Sequence, residues 1–410
     1  MALPYLAARF LFSTTLEQAS LHLLIPDGYY RPKPVLFLLL GYYPLSVLVA
    51  GLPPKPVSLS GLHRIPPSTR FAVQVCIIVA ATFFLLKQSF TSEEQFTAAV
   101  RYLAHKEQWG KILELTGKRP SNDRLVNFTV NRALYHTGRL PYDLFRQHNF
   151  WGQHALFLGD HAGGSVLMDN SELYFELGHV RAARQWAYEA QTIFEYSPRV
   201  LKMLTLTNII EGDYPAATMM LSILDKSIMH QKWVRKYMNG IHDTTLFQND
   251  SLIRVKRRQM PTDIAFMSTK EVEKDLLALL KKNPDNRMAF EYLMAWLQLS
   301  DRIDRLDLAD ELRYLKRLGY REMPQTYQEA LMVYIARKGY ADYDFGGYAI
   351  NPVNVNGYKD YMTILRDHRE NPQEAVKVLY DSYAYSYWYY LQFIYPLSNK
   401  RQAEKKAAGK

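Results

Sequence analysis

Two early stretches, residues 35–52 and 71–86, carry no charged side chain, and from residue 92 onward apolar and polar positions alternate at the helical period. A hydrocarbon core about 30 Å thick takes about 20 mostly apolar residues as helix. The first stretch is interrupted by Pro44 and bracketed by Pro34 and Pro53, which predicts a kinked membrane helix with proline at both ends. The second is flanked by Arg70 and Lys87, whose long stems can carry their charges out to the interface. Both are short. Buried core helices are the bland alternative, but two such runs so near one end favour insertion, and residues 1–90 are read as a membrane anchor. The first dozen residues are apolar but contain Arg9, and no cleavage site follows them, so a cleaved signal peptide is not expected.

The remainder predicts an all-α fold: N-terminal transmembrane helices followed by a tetratricopeptide-like α-solenoid. Ser92 with Gln95 forms a capping-box pattern ahead of Phe96, Ala99, Val100 and Leu103. Helical segments then end in turn at Gly117, Gly138, Gly178 and Gly212. The last two glycines are 34 residues apart, which is the tetratricopeptide period. Ala183 and Ala217 each follow their glycine by five positions, where a small residue lets the two helices of a hairpin approach. The Gly138 unit has Asp143 at that place and is degenerate. A hairpin of this kind cannot bury its own apolar face, so neighbours must stack.

The pattern divides the soluble part into repeats over 91–240, a linker over 241–267, a second helical-repeat segment over 268–395 and a basic tail over 396–410. The linker assignment rests on polarity, on Pro261 and on the run Arg254, Lys256, Arg257, Arg258. Ser268 with Glu271 marks a fresh helix start, and a Gly-, Asn- and Tyr-rich insert over 339–357 precedes two final helices.

Composition narrows the function classes. The net charge of +10 is concentrated only in that run and in the tail, and no nucleic-acid-binding motif accompanies either, so nucleic acid is not an expected partner. The single cysteine, Cys76, excludes a disulfide framework and a thiolate metal centre within one chain. Tyrosine is abundant, with 30 residues, and densest over 380–395. Its amphipathic ring suits helix packing with the hydroxyl at the rim. The loop between the apolar stretches carries Lys55, Arg64 and Arg70 without an acid, which favours that loop inside and the helical domain outside the cytoplasm, although Arg31, Lys33, Lys87 and Arg101 flank the other ends.

Several strings stand together: VNRALYHTGRL, LYFELGHVRAARQWAYEA, NIIEGDYPAA, NPDNRMAFEYLMAWLQL, YQEALMVY and YWYYL. As a set they resemble a family of membrane-anchored helical-repeat proteins from Bacteroidota and related bacteria, over about residues 96–391. The resemblance implies architecture and a bacterial inner-membrane location, and it carries over no catalytic residue. Members generally have a larger N-terminal membrane portion than two spans, which leaves open whether Met1 is the natural start.

No catalytic, metal-binding or cofactor-binding residue is assigned. The best enzymatic candidate is the irregular segment with His148, His154, Asp160 and His161. Imidazoles and a carboxylate can ligate zinc or move protons, but the spacing fits no ligand pattern on one helix face, and histidines of a polar loop explain it more simply. Arg287 and Glu291 read as an i,i+4 surface or interface salt bridge rather than a site. The preferred function is a membrane-anchored scaffold or protein- and peptide-binding module with a partner on the concave face. Arg132, Tyr135, Tyr174, Trp186, Tyr188 and Asn208 are the candidate groove residues. An accessory subunit of an envelope assembly or export complex comes second, and a metal-dependent enzyme using the histidine segment comes last.

Overall fold

The computed structural model describes residues 92–146, 151–159, 166–261, 271–305, 311–339, 345 and 347–400, with positions 69, 76, 80 and 83 ahead of them. Among these residues every regular element is helical. The stretch 35–52 lies outside the described residues, as does 71–86 apart from Cys76, Ala80 and Phe83. Those three are helical and exposed, Phe83 to 69%. No helix among the described residues is long and apolar enough to cross a membrane.

The first half is a run of helical hairpins. Helices α1 (Ser92–His105), α2 (Trp109–Lys118), α3 (Arg124–His136) and the short α4 (Leu140–Asp143) lead into α5 (Leu167–Leu177), α6 (Val180–Phe194), α7 (Pro198–Glu211) and α8 (Tyr214–Leu224). Three of them stop in the same way. Gly138, Gly178 and Gly212 take positive φ of 70°, 89° and 89°. In each case the glycine N–H and the next N–H bond back to carbonyls of the last turn, as in His179 N to Tyr174 O and Asp213 N to Asn208 O, both 2.9 Å. The next helix starts at once. The His179 ring and the Asp213 carboxylate accept the N–H of Ala182 and Ala216. Ala183 and Ala217 are fully buried at the hairpin crossings.

The first helices of successive hairpins are joined by a chain of ion pairs. Asp169 on α5 takes Arg101 from α1 at 3.2 Å and Arg199 from α7 at 2.9 Å. Arg199 continues to Glu172 at 2.7 Å. Arg132 on α3 bridges Glu172 and Glu176, at 3.6 and 2.6 Å, and His136 meets Glu176 at 3.3 Å. Cations and carboxylates alternate along it, so the charge on this face is balanced from within.

Residues 241–267 differ from the expected linker. Helix α9 (Gln231–His242) runs into this stretch, and α10 (Thr245–Asn249) and α11 (Ser251–Gln259) follow, while 262–270 lie outside the described residues. The basic run hid a tertiary cap. Lys256 donates to the carbonyl of Glu176 at 2.7 Å, and Arg257 to those of Ile209 and Ile210 at 2.9 and 3.2 Å. These are last-turn carbonyls of α5 and α7, which intrahelical bonds leave free and which carry the negative end of the helix dipole. Arg258 pairs with Asp285 at 3.1 Å.

The second segment closes over the first. Helix α12 (Val272–Lys282) leads to α13 (Arg287–Leu299), in which every residue from Met288 onward is buried. Asn286 caps α13 by accepting from Ala289 N and also donates to Leu177 O at 2.8 Å, tying it to the end of α5. Tyr292 meets Tyr135 edge-on at 6.2 Å, and Phe157 stands between Tyr292 and Trp296. The short α14 (Tyr314–Arg317), α15 (Gln325–Lys338), α16 (Pro352–Asp367) and α17 (Pro372–Tyr383) complete the body, followed by α18 (Tyr387–Tyr389) and a π turn over Tyr390–Ile394. The C-terminal tyrosines bury their rings and hand their hydroxyls to carbonyls. Tyr390 donates to Leu299 O at 2.8 Å, Tyr395 to Ser300 O and Tyr361 to Trp388 O, both at 3.1 Å.

Candidate functional site

The six groove residues expected from the sequence are not gathered at one open surface. Arg132 is 4% exposed and grips Glu176 with two nitrogens, at 2.6 and 3.3 Å, under the Trp109 ring. Arg132 comes first among the attractions that hold the Glu176 carboxyl down near 2 against the cost of burial. Tyr135 is half-buried against α13, and burial, with Glu291 nearby, pushes its hydroxyl up to about 12. Tyr174 and Trp186 stack at 6.3 Å inside the α5–α6 hairpin and are both buried. Tyr188 is exposed. Asn208 is fully buried, and its side-chain amide has no hydrogen-bond partner among the described residues. Helix α11 meets α5 and α7 through Lys256 and Arg257, and α13 meets α3 and α5 through Tyr292 and Asn286, so several of the expected groove residues lie against the chain's own later helices.

The histidine segment is not assembled into a centre by the described residues. His148, Asp160 and His161 lie outside them, and His154 sits in a 3-10 turn over Gly152–Ala155. Its neighbours hold that turn by the main chain. Arg124 donates to His154 O at 2.9 Å, Asn131 to Ala155 O at 3.0 Å, and Asn170 to Leu158 O at 2.8 Å. Among the described residues no three His, Cys, Asp or Glu side chains stand close enough to share a metal ion. The Arg287–Glu291 pair forms at 2.7 Å, and the Tyr320 hydroxyl donates to the same carboxylate oxygen. Glu291 is buried, which raises its titration despite those partners.

An open cleft of about 320 Å³ lies elsewhere, between α4, α15, α16 and the start of α18. Tyr142 and Tyr385 stand at its mouth, 50% and 56% exposed, and Tyr383 and Trp388 line it. Arg146 reaches the rim with its guanidinium on Asp143 at 3.0 Å. Gln325 and Asn354 line the cleft too, their amides donating to Glu329 and Gln328. Glu329 contributes a carboxyl that is only 1% exposed.

The local sequence explains how Glu329 is held. It follows Gln325 by one helical turn, and the Gln325 amide donates to its Oε1 at 2.8 Å. Its Oε2 accepts the N–H of Tyr387 at 2.7 Å, the first residue of α18, so the carboxyl also caps that helix from outside. Both partners are neutral. Burial wins over these bonds and pushes the Glu329 carboxyl up to about 7. A strongly perturbed acid in an aromatic-walled cleft has the features of a binding or proton-transfer site. Sequence reasoning missed it, because Glu329 lies in a string that reads as amphipathic helix. The i,i+4 spacing of Gln325 and Glu329 was the one available signal.

Comparison with curated proteins and with solved structures returns no match. The apolar N-terminal stretches and the helical body, however, fall within one family match. The chain belongs to the family of unknown function DUF6057, whose model it matches over residues 1–394.

Proposed function

We propose that this chain is a membrane-anchored helical-repeat scaffold whose tetratricopeptide-like stack carries a protein- or peptide-binding site in the C-terminal cleft rather than on the concave face. The cleft carries this reading. It is open, walled by Tyr142, Tyr383, Tyr385 and Trp388, and supplied with a few convergent polar groups. Tyrosine and tryptophan at a partly wet surface are the residues that anchor partner chains. The hairpin run at 167–224, with its two identical glycine stops, supports the repeat assignment. The anchor is supported by the uncharged stretches and by helical, exposed Cys76, Ala80 and Phe83.

The test is site-specific photo-cross-linking from the intact chain in its native membrane. A photoreactive phenylalanine analogue replaces Tyr385 at the cleft mouth and, in a second variant, exposed Tyr188 on the repeat surface. A discrete adduct from position 385 and none from 188 is the expected outcome. An adduct from 188 alone would move the partner surface to the repeats, and equal labelling at both would sink the cleft as a specific site.

A further inference from the structure

Among the described residues several buried or half-buried carboxylates meet an arginine, and Glu329, which faces the cleft, does not. Glu176 holds Arg132, Glu291 holds Arg287, Glu273 holds Arg302, and Asp169 holds Arg101 and Arg199. Glu329 is as buried as any of these, yet no ion pair reaches it among the described residues, and its bonds come from an amide and a main-chain N–H. An ionised carboxylate out of water without a cation is costly, and a cation arriving from outside would remove that cost. Aromatic rings flank the approach, and ring faces attract organic cations.

Resting on the cleft reading above, we propose that the cleft takes a basic side chain, lysine or arginine, of the partner polypeptide, with Glu329 as its counter-ion and Tyr142, Tyr383 and Tyr385 as the aromatic walls. Arg146 does not contradict this. Its guanidinium is drawn to Asp143 at the rim, where it can meet a carboxylate neighbouring the inserted base.

Binding is then linked to protons. The titratable and charged groups around Glu329 are Tyr142 and Arg146 beside α4, Tyr383 with its bond to Asp360 from α17 and α16, and Tyr387 from α18. At the other end of α15, Arg337 is neutralised by Asp301 and Asp304. With Glu329 titrating at about 7, a cation binds the ionised form and releases a proton. Affinity should rise about tenfold between about pH 6 and about pH 8, and level off above.

The experiment is calorimetric titration of the full chain in detergent micelles with the blocked amino acids N-acetyl-lysine methylamide, N-acetyl-arginine methylamide and neutral N-acetyl-norleucine methylamide. The expected result is heat from one or both cationic probes and none from norleucine, with proton release near neutrality read from buffers of different ionisation enthalpy. Glu329→Gln keeps an acceptor for Tyr387 N–H, and it should lose binding at least tenfold while melting no lower than the unsubstituted chain. Tyr385→Ala, at the exposed rim, should weaken binding without affecting folding. Binding that is independent of pH, equal for norleucine, or intact in Glu329→Gln overturns the proposal. An adduct at position 385 formed by a partner segment without lysine or arginine would overturn it too, while leaving the cleft as the binding site.

Discussion

Replacing Arg132 by methionine isolates what the ion-pair chain contributes to stability. The substitution removes the guanidinium and leaves a side chain of similar length among Trp109 and Phe128. Glu176 then stays in place, with His136 at 3.3 Å and the attraction of Lys256 as its remaining partners. Removing one member of a buried pair typically costs about 3–5 kcal/mol, because the other charge is left without compensation. The titration of Glu176 gives a second route to the figure. Its carboxyl sits near 2 against 4.5 for a free glutamate. At about 1.4 kcal/mol per unit, that displacement corresponds to about 3 kcal/mol. The sign follows from the depressed value: the contribution is complete above about pH 4.5 and is lost as pH falls toward about 2. Thermal melts of the intact chain in micelles, followed by far-ultraviolet circular dichroism, should show Tm lowered by roughly 6 °C or more at neutral pH. The acid-side loss of stability between those two pH values should be much reduced in the variant. The double variant Arg132→Met with Glu176→Gln should melt above the single one, since no unpaired buried charge remains. A fall below about 2 °C, or a double variant no better than the single, would refute the reasoning.

Other positions separate backbone from side-chain effects. Gly178 and Gly212 share φ of 89°, but a Cβ at Gly178 would come within 2.6 Å of the Gln259 Cβ, while nothing stands within 4 Å at Gly212. Gly212→Ala should therefore cost about 1–2 kcal/mol from strain alone, and Gly178→Ala distinctly more, as read by comparative melts. If the two are equal, α11 does not press on that turn. Asn286→Ala removes both the α13 cap and the bond to Leu177 O, for about 2–3 kcal/mol, whereas Asn286→Asp should retain the cap share. Equal loss in both would assign the whole effect to the link with α5. Glu329 titrates above its unfolded value, so folded stability should decline as pH rises from about 4.5 to about 7, by about 3 kcal/mol. Glu329→Gln should flatten that decline in melts taken across the range, and an unchanged slope would show that the carboxyl is hydrated.

The helical hairpins were legible because their signals are local. A glycine ending each helix, a polar cap directly after it and an alanine five residues on determine where each helix ends and how closely its partner comes. Gly178, Ala183 and His179 act together within a few residues, and the structure reproduces their spacing at Gly212, Ala217 and Asp213. The expected break within 339–357 was misjudged for the same local reason. Asn351 caps a helix whose first turn holds Pro352, so α16 begins inside the insert.

What the sequence concealed is tertiary, and it concerns what covers the repeat face. A stack with a free concave surface and a stack closed by its own later helices have the same hairpin periodicity. The difference lies in α13, whose continuous burial from Met288 to Leu299 does not announce which surface it will meet. Once α11 is placed, the basic run divides: Arg254 and Arg258 stay exposed, while Lys256 is buried and Arg257 half-buried. Lys256 and Arg257 close the open ends of α5 and α7. Charge that reads as part of a polar linker along the chain is then a means by which one part of the molecule holds another. The same reasoning applies to Glu329. A lone glutamate in an amphipathic helix reads as solvated surface, yet it is buried, and its cation is not supplied by the described residues that pack around it. Among the described residues Glu329 is held by an amide and an N–H rather than by an arginine, which is why the proposed binding chemistry is placed there.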